Sequence, residues 1–63
     1  MPKHENVTVQ LIGENGNAFN LIGLTAIKLS ESGIDTKEFL DQAFACNSYD
    51  ELLVLIMNTV HVI

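Results

Sequence analysis

The hydrophobic pattern changes its period along this chain, and it predicts strands at the two ends with helices between them. From Val7 to Ile12, every second position beginning with Val7 is apolar, and this alternation predicts a strand. The polar residues 1–6 before it are predicted to fray. Residues 59–63 are rich in β-branched side chains and predict a closing strand. That strand pairs with the first one either in the same chain or in a neighbouring copy.

Helical spacing of apolar residues predicts a first helix from about Ala18 to Ser32, and Gly33 is a natural residue to end it. Leu21 and Leu24 fall on the side opposite to the main apolar stripe. We interpret them as a contact between subunits, although two scattered exposed leucines are also common in monomers. The main stripe, predicted to face the core, consists of Ala18, Phe19, Ile22, Ala26 and Leu29.

A second helix is indicated by capping-box spacing, in which a short polar residue is followed at i+3 by an acidic one. Asp35 and Glu38 have this spacing, with Asp in place of the usual Ser or Thr, and the helix they open ends at about Ala45. Its apolar members pair at i, i+4 and are Phe39, Leu40, Ala43 and Phe44.

Ser48 and Glu51 repeat the capping-box spacing and open a third helix, from Tyr49 to about Asn58. Residues 52–57 are apolar all round, which places this helix at the centre of the core or of an interface. The predicted fold class is therefore α+β. The chain forms a small β-α-α-α-β domain with two short strands and three helices, and we expect it to be oligomeric.

Length and composition indicate one domain over residues 1–63 that gains stability by association. A chain of this size buries only ~60% of its unfolded surface, so a lone monomer is marginal. Cys46 is the only cysteine, which excludes a disulfide within the chain and fits a cytoplasmic location. We expect a homo-oligomer, a dimer or a tetramer, built through the Leu21 and Leu24 face and helix 3.

The charge balance is acidic, with eight carboxylates, three lysines, no arginine and a formal net charge of −5. Binding a long nucleic acid requires several cations to neutralise phosphates, so no such partner is expected. No apolar run approaches the ~20 residues that cross a bilayer, so no membrane partner is expected either. Backbone N–H groups could still hold a small anion, and the acidic surface could bind a basic protein.

The glycine-rich turn from Gly13 to Asn17 is the strongest candidate for a site, and Asn17 suits the N-cap of the next helix. The turn directs backbone N–H groups and the positive end of a helix at one spot, which can hold a phosphate or can be only a well-made connection. Phe19 could stack on a planar group or pack in the core. The candidate ligand-binding residues are Asn15, Gly16, Asn17, Ala18, Phe19, Asn20 and Tyr49.

Catalytic chemistry is poorly supported, and we expect a protein that is not an enzyme and has no cofactor. A nucleophile needs a base within hydrogen-bond reach, and Cys46 has no histidine near it in sequence. We expect this cysteine to be a small buried or half-buried residue. His61 is expected to be exposed or interfacial, with ligand contact as the alternative. One cysteine and two distant histidines, His4 and His61, do not indicate a metal site.

The string V-x-V-Q-L-x-G-x-x-G-N-A-F, from Val7 to Phe19, resembles a widespread family of very small proteins of phages and other mobile elements. The resemblance continues through helix 1 and into S-Y-D-E-L-L, from Ser48 to Leu53, so it covers nearly the whole chain. The family resembles the anti-CBASS sponges, which sequester cyclic dinucleotides such as cyclic GMP–AMP without hydrolysis, in pockets between subunits. The resemblance implies ligand contacts at Gly16, Asn17, Ala18 and Phe19, with Tyr49 a weaker candidate.

Two positions depart from the family pattern, because many members have a tryptophan where this chain has Thr59 and an acid where it has His61. If that tryptophan stacks on a base, ligand preference differs here. The leading hypothesis is a non-catalytic phage immune-evasion protein that binds a cyclic nucleotide in the host cell cytoplasm. The alternative is an acidic phage protein that binds and inhibits a host defence protein.

Overall fold

A computed structural model describes residues 2–11 and 17–63, and it confirms the predicted α+β class. Three helices lie between two strands, in the predicted order. The bounds of the elements are β1 His4–Val9, α1 Ala18–Glu31, α2 Lys37–Ala45, α3 Tyr49–Thr59 and β2 Val60–Val62. No helix in these two ranges is both long and apolar enough to cross a membrane.

The two strands pair within one chain and run parallel, so the three helices form the crossover that parallel strands require. The register pairs Val9 with Val62 and includes an irregularity between His4 and Thr8. The strand begins at His4 and not at Val7, so the prediction that residues 1–6 fray is wrong for its second half. Backbone pairing orders this segment: the Lys3 N–H donates to the Asn58 carbonyl at 2.9 Å.

The first and third helices begin and end close to the predicted residues because their ends are determined locally. Asn17 caps α1, and its Oδ1 accepts the Phe19 N–H at 2.8 Å. Gly33 follows this helix with a φ of 78°, which a residue without Cβ adopts at little cost. Ser48 caps α3, and its Oγ accepts the Glu51 N–H at 3.1 Å. In a capping box the acidic side chain accepts the N–H of the N-cap residue. Here Glu51 Oε1 accepts the N–H of the residue before the N-cap, Asn47, at 3.3 Å.

The start of α2 corrects the predicted capping box. Asp35 Oδ1 accepts the Lys37 N–H at 2.9 Å, so Asp35 supports the helix from one residue before the N-cap, Thr36. Within the described residues the Glu38 carboxylate does not accept the backbone N–H that a capping box would give it. Its Oε1 accepts from Lys3 Nζ at 3.0 Å instead, because the start of β1 brings that lysine within reach.

The core lies between the sheet and all three helices. Two buried threonines belong to it, and both hydroxyls donate within their own helix, Thr25 to the Leu21 carbonyl (2.9 Å) and Thr59 to the Leu55 carbonyl (2.6 Å). Each buried hydroxyl is therefore satisfied, as burial requires. The buried apolar members are Val7, Val9, Leu21, Ile22, Leu29, Phe39, Ala43, Leu52, Ile56 and Val60.

The buried face of α1 is rotated about the helix axis from the predicted one. Leu21, predicted to form an outer contact with Leu24, is only 2% exposed, whereas Phe19 of the predicted core stripe is 74% exposed. Tertiary packing explains the difference. Because α1 contacts β1, α2 and α3, a wide side of this helix, centred on Thr25, is buried. Leu21 is thus unavailable for a contact between subunits, and Leu24 is half-buried against the same core.

Candidate functional site

The beginnings of α1 and α3 lie at one pocket, which the end of α2 completes. Its volume is about 280 Å³. The floor is apolar and comes from all three helices, with Ile22, Ala43 and Leu52 each buried. The remaining lining residues are Ala18, Phe19, Phe44, Cys46, Asn47, Ser48 and Tyr49. We call this cavity the aromatic pocket.

Three aromatic side chains around the aromatic pocket remain largely in solvent. Phe19 is 74% exposed, Phe44 64% and Tyr49 41%. The phenol of Tyr49 adds a donor and an acceptor to the polar groups of Asn47 and Ser48. Exposed aromatic rings beside an apolar floor can sandwich or stack a flat ligand, and stacking on an aromatic ring is tolerant of the identity of a nucleobase.

The electrostatics of the aromatic pocket depend on helix ends and not on basic side chains. Among the described residues that line it, there is no lysine and no histidine. The first turn of α1 contains no acidic residue, whereas that of α3 contains Asp50 and Glu51, which already offset the positive end of their own helix. Among the described residues, the start of α1 is therefore less negatively charged than the start of α3.

Three of the seven sequence-predicted site residues, Ala18, Phe19 and Tyr49, line this one pocket although they lie on different helices. Asn17 is next to it as the exposed N-cap of α1, with its side chain engaged by the Phe19 N–H. Asn20 is exposed but is not a lining residue. Asn15 and Gly16 lie outside the described residues, as does most of the glycine turn.

Phe44 and Asn47 were missed as site residues by the sequence reasoning. The only signal was the i, i+4 pairing of Phe44 with Leu40, beside the parallel pair Phe39 and Ala43. In the structure Phe39 and Ala43 are buried, whereas Phe44 is exposed at the pocket. A single helix pattern offers no way to decide which of two neighbouring pairs faces inward.

The residues considered for catalysis are not assembled into a site within the described ranges. Cys46 is half-buried, as predicted, and its Sγ donates to the Gln42 carbonyl at 3.4 Å. His61 is exposed on β2. Among the described side chains, no group of three His, Cys, Asp or Glu residues could hold a metal ion.

A second cavity, of about 250 Å³, lies on another part of the molecule, and charged side chains are among its lining residues. Lys3, His4, Asp35 and Glu38 line it, and the Lys3–Glu38 ion pair spans β1 and α2 there. Both charges of that pair are largely exposed and already satisfied by each other. In this arrangement the ion pair links the residue before β1 to α2.

Comparison with protein-family models, with curated proteins and with solved structures found no match for this chain.

Proposed function

We propose that this protein is a non-catalytic phage immune-evasion protein that captures a cyclic oligonucleotide second messenger such as cyclic GMP–AMP. The observation that carries the proposal is the aromatic pocket, where Phe19, Phe44 and Tyr49 present exposed rings around an apolar floor. A nucleobase offers the flat face that such rings bind. The family resemblance of residues 7–19 and 48–53 supports the same ligand class.

The volume of the aromatic pocket supports a ligand shared between copies. At about 280 Å³ the pocket lies just below the ~300–1,000 Å³ of pockets that enclose a whole drug-sized ligand. It therefore suits one nucleotide unit better than a complete cyclic dinucleotide. Two pockets related by a two-fold axis would each hold one nucleotide unit of a cyclic dinucleotide, and stacking tolerates the two different bases of cyclic GMP–AMP. We place the contact between copies at the rim of the pocket, where Phe19 and Phe44 are exposed.

Capture without basic side chains has a measurable consequence. Where lysine or arginine neutralises phosphates, affinity falls steeply as salt displaces the released counterions. No lysine lines the aromatic pocket in the part of the chain that the structure describes, and arginine is absent from the sequence. The affinity for the cyclic nucleotide should therefore change little with salt, since stacking and neutral N–H groups hold the ligand.

Isothermal calorimetry against a panel of cyclic di- and trinucleotides and cyclic ADP-ribose isomers tests the proposal. At least one ligand should bind and should be recovered intact after the protein is denatured. Phe19→Ala should weaken that binding about tenfold or more, because stacking on an aromatic ring contributes ~1–3 kcal/mol per base. Ile27→Ala is the matched control, since Ile27 is an exposed apolar residue of the same helix outside the pocket.

Two results would contradict the proposal. One is the absence of heat with every ligand while circular dichroism shows a folded protein. The other is binding that Phe19→Ala and Ile27→Ala weaken equally, because the aromatic pocket would then have no special part in it. Light scattering with and without ligand separately tests whether copies associate.

A further inference from the structure

A second exposed apolar surface follows the outer side of α3 and adjoins the aromatic pocket at Cys46. A shallow groove of about 410 Å³ is lined by Cys46, Asp50, Glu51, Val54 and Leu55, and we call it the α3 groove. Val54 is 55% exposed, and Met57 one turn further along is exposed to a similar degree. Apolar side chains grouped on one side of a surface helix are typical of a contact with another protein.

The charges beside this groove are all of one sign. Asp50 and Glu51 are both exposed at its edge. Within the described ranges Asp50 has no ion-pair partner, and the Glu51 carboxylate only accepts the Asn47 N–H. The lysines of the chain are engaged elsewhere, as Lys3–Glu38 (3.0 Å), Lys28–Glu31 (3.6 Å) and Lys37–Asp41 (3.0 Å). Each of the three lysines therefore pairs with a carboxylate other than these two.

We propose that the α3 groove docks a cationic amphipathic segment of another protein. An apolar side chain of that segment lies on Val54 and Leu55, and flanking Lys or Arg residues pair with Asp50 and Glu51. A second copy is a poorer occupant, because it brings a further net charge of −5 and only lysines that are already paired. The groove shares only Cys46 with the aromatic pocket, so the docking is independent of nucleotide capture.

Binding of a synthetic amphipathic helix, with leucines on one face and lysines on the other, tests this docking in a fluorescence anisotropy titration. Val54→Asp should weaken the binding about tenfold or more, since a valine-sized contact contributes about that much. If attraction between opposite charges alone drove the binding, Val54→Asp would instead bind the peptide more tightly, because the variant gains a negative charge. Ile27→Asp is the matched control, with the same charge added at a position that is also 55% exposed, and it should not weaken binding.

Further variants and a second peptide complete the test. Asp50→Lys should weaken binding of the same peptide, and a peptide with glutamates in place of lysines should not bind. Val54→Ser and Ile27→Ser repeat the comparison if either aspartate variant fails to fold by circular dichroism. The calorimetric affinity for any cyclic nucleotide should be unchanged in Val54→Asp. Equal losses in the Val54 and Ile27 variants would overturn the proposal, and so would a dimer in light scattering that Val54→Asp abolishes, because a second copy would then occupy the groove.

Discussion

The core and the aromatic pocket are built from the same three helices but expose their apolar side chains very differently. Phe39 and Phe44 illustrate this, because both are phenylalanines of α2, yet Phe39 is buried and Phe44 is 64% exposed. Burial of the first removes apolar surface from water and stabilises the fold. Exposure of the second leaves a ring that contributes little to folding and remains available to a ligand. Apolar content alone therefore does not distinguish folding residues from binding residues in so small a protein.

The largest expected effect comes from shortening these two phenylalanines. Phe39→Ala should lower the free energy of unfolding by about 3–5 kcal/mol, through lost burial and a residual cavity. A chain of this size has a total stability of only about 3–9 kcal/mol, so this loss should remove about a third of it or more. Phe44→Ala should change the stability by less than about 0.5 kcal/mol. Urea denaturation followed by circular dichroism measures both, and similar losses would refute the division between core and pocket.

The second prediction concerns ligand binding and rests on the proposed nucleotide capture. Phe44→Ala should weaken the affinity for the cyclic nucleotide about tenfold, since one stacking ring is removed from the pocket. Leu40→Ala is unsuitable as a control because Leu40 packs against the core. Ala45→Ser on the same helix is suitable, because Ala45 is exposed and lies outside the lining residues. Unchanged affinity in Phe44→Ala, with binding otherwise intact, would remove Phe44 from the site.

Structure that is determined by a few neighbouring residues is predictable from the sequence. The caps Asn17 and Ser48 and the stop at Gly33 are examples, because each depends on hydrogen bonds or a backbone angle within a few residues. Structure that depends on tertiary packing is not predictable in this way. The inward face of α1 includes Leu21 and Thr25 because three elements contact this helix, and a helical wheel that assumes one partner surface cannot reveal that.

The candidate site was predictable in part, for the same reason. Ala18 and Phe19 begin a helix and Tyr49 begins another, and their polar caps are visible in the sequence. What brings those two helix starts to one pocket is the way α1, α2 and α3 pack, which also adds Phe44. Exposure of Phe19 follows from the rotation of α1, so this residue, assigned from the sequence both to the core stripe and to the candidate ligand contacts, is the most exposed aromatic of the candidate site.

A third, smaller effect is expected at a lining residue that serves folding. Ser48→Ala should lower the free energy of unfolding by ~1 kcal/mol, because the Glu51 N–H loses its acceptor at the start of α3. Ser48→Asp is the control, since its carboxylate can accept the same hydrogen bond and should retain the stability. Urea denaturation of the three proteins measures the difference. A loss of stability equal in both variants would show that packing at this position, and not the cap, matters.

The smallest expected effect lies outside both regions, at the ion pair that joins the start of β1 to α2. Lys3→Gln should lower the free energy of unfolding by at most about 0.5 kcal/mol, because Lys3 and Glu38 are both largely exposed and water screens their attraction. Lys28→Gln, which removes the longer pair with Glu31, should cost no more. Both small losses should shrink further in high salt, which urea denaturation at two ionic strengths can measure. A loss at Lys3 that is much larger and insensitive to salt would mean that its backbone pairing with Asn58 changes too, and that the ordered start of β1 depends on the Lys3 side chain.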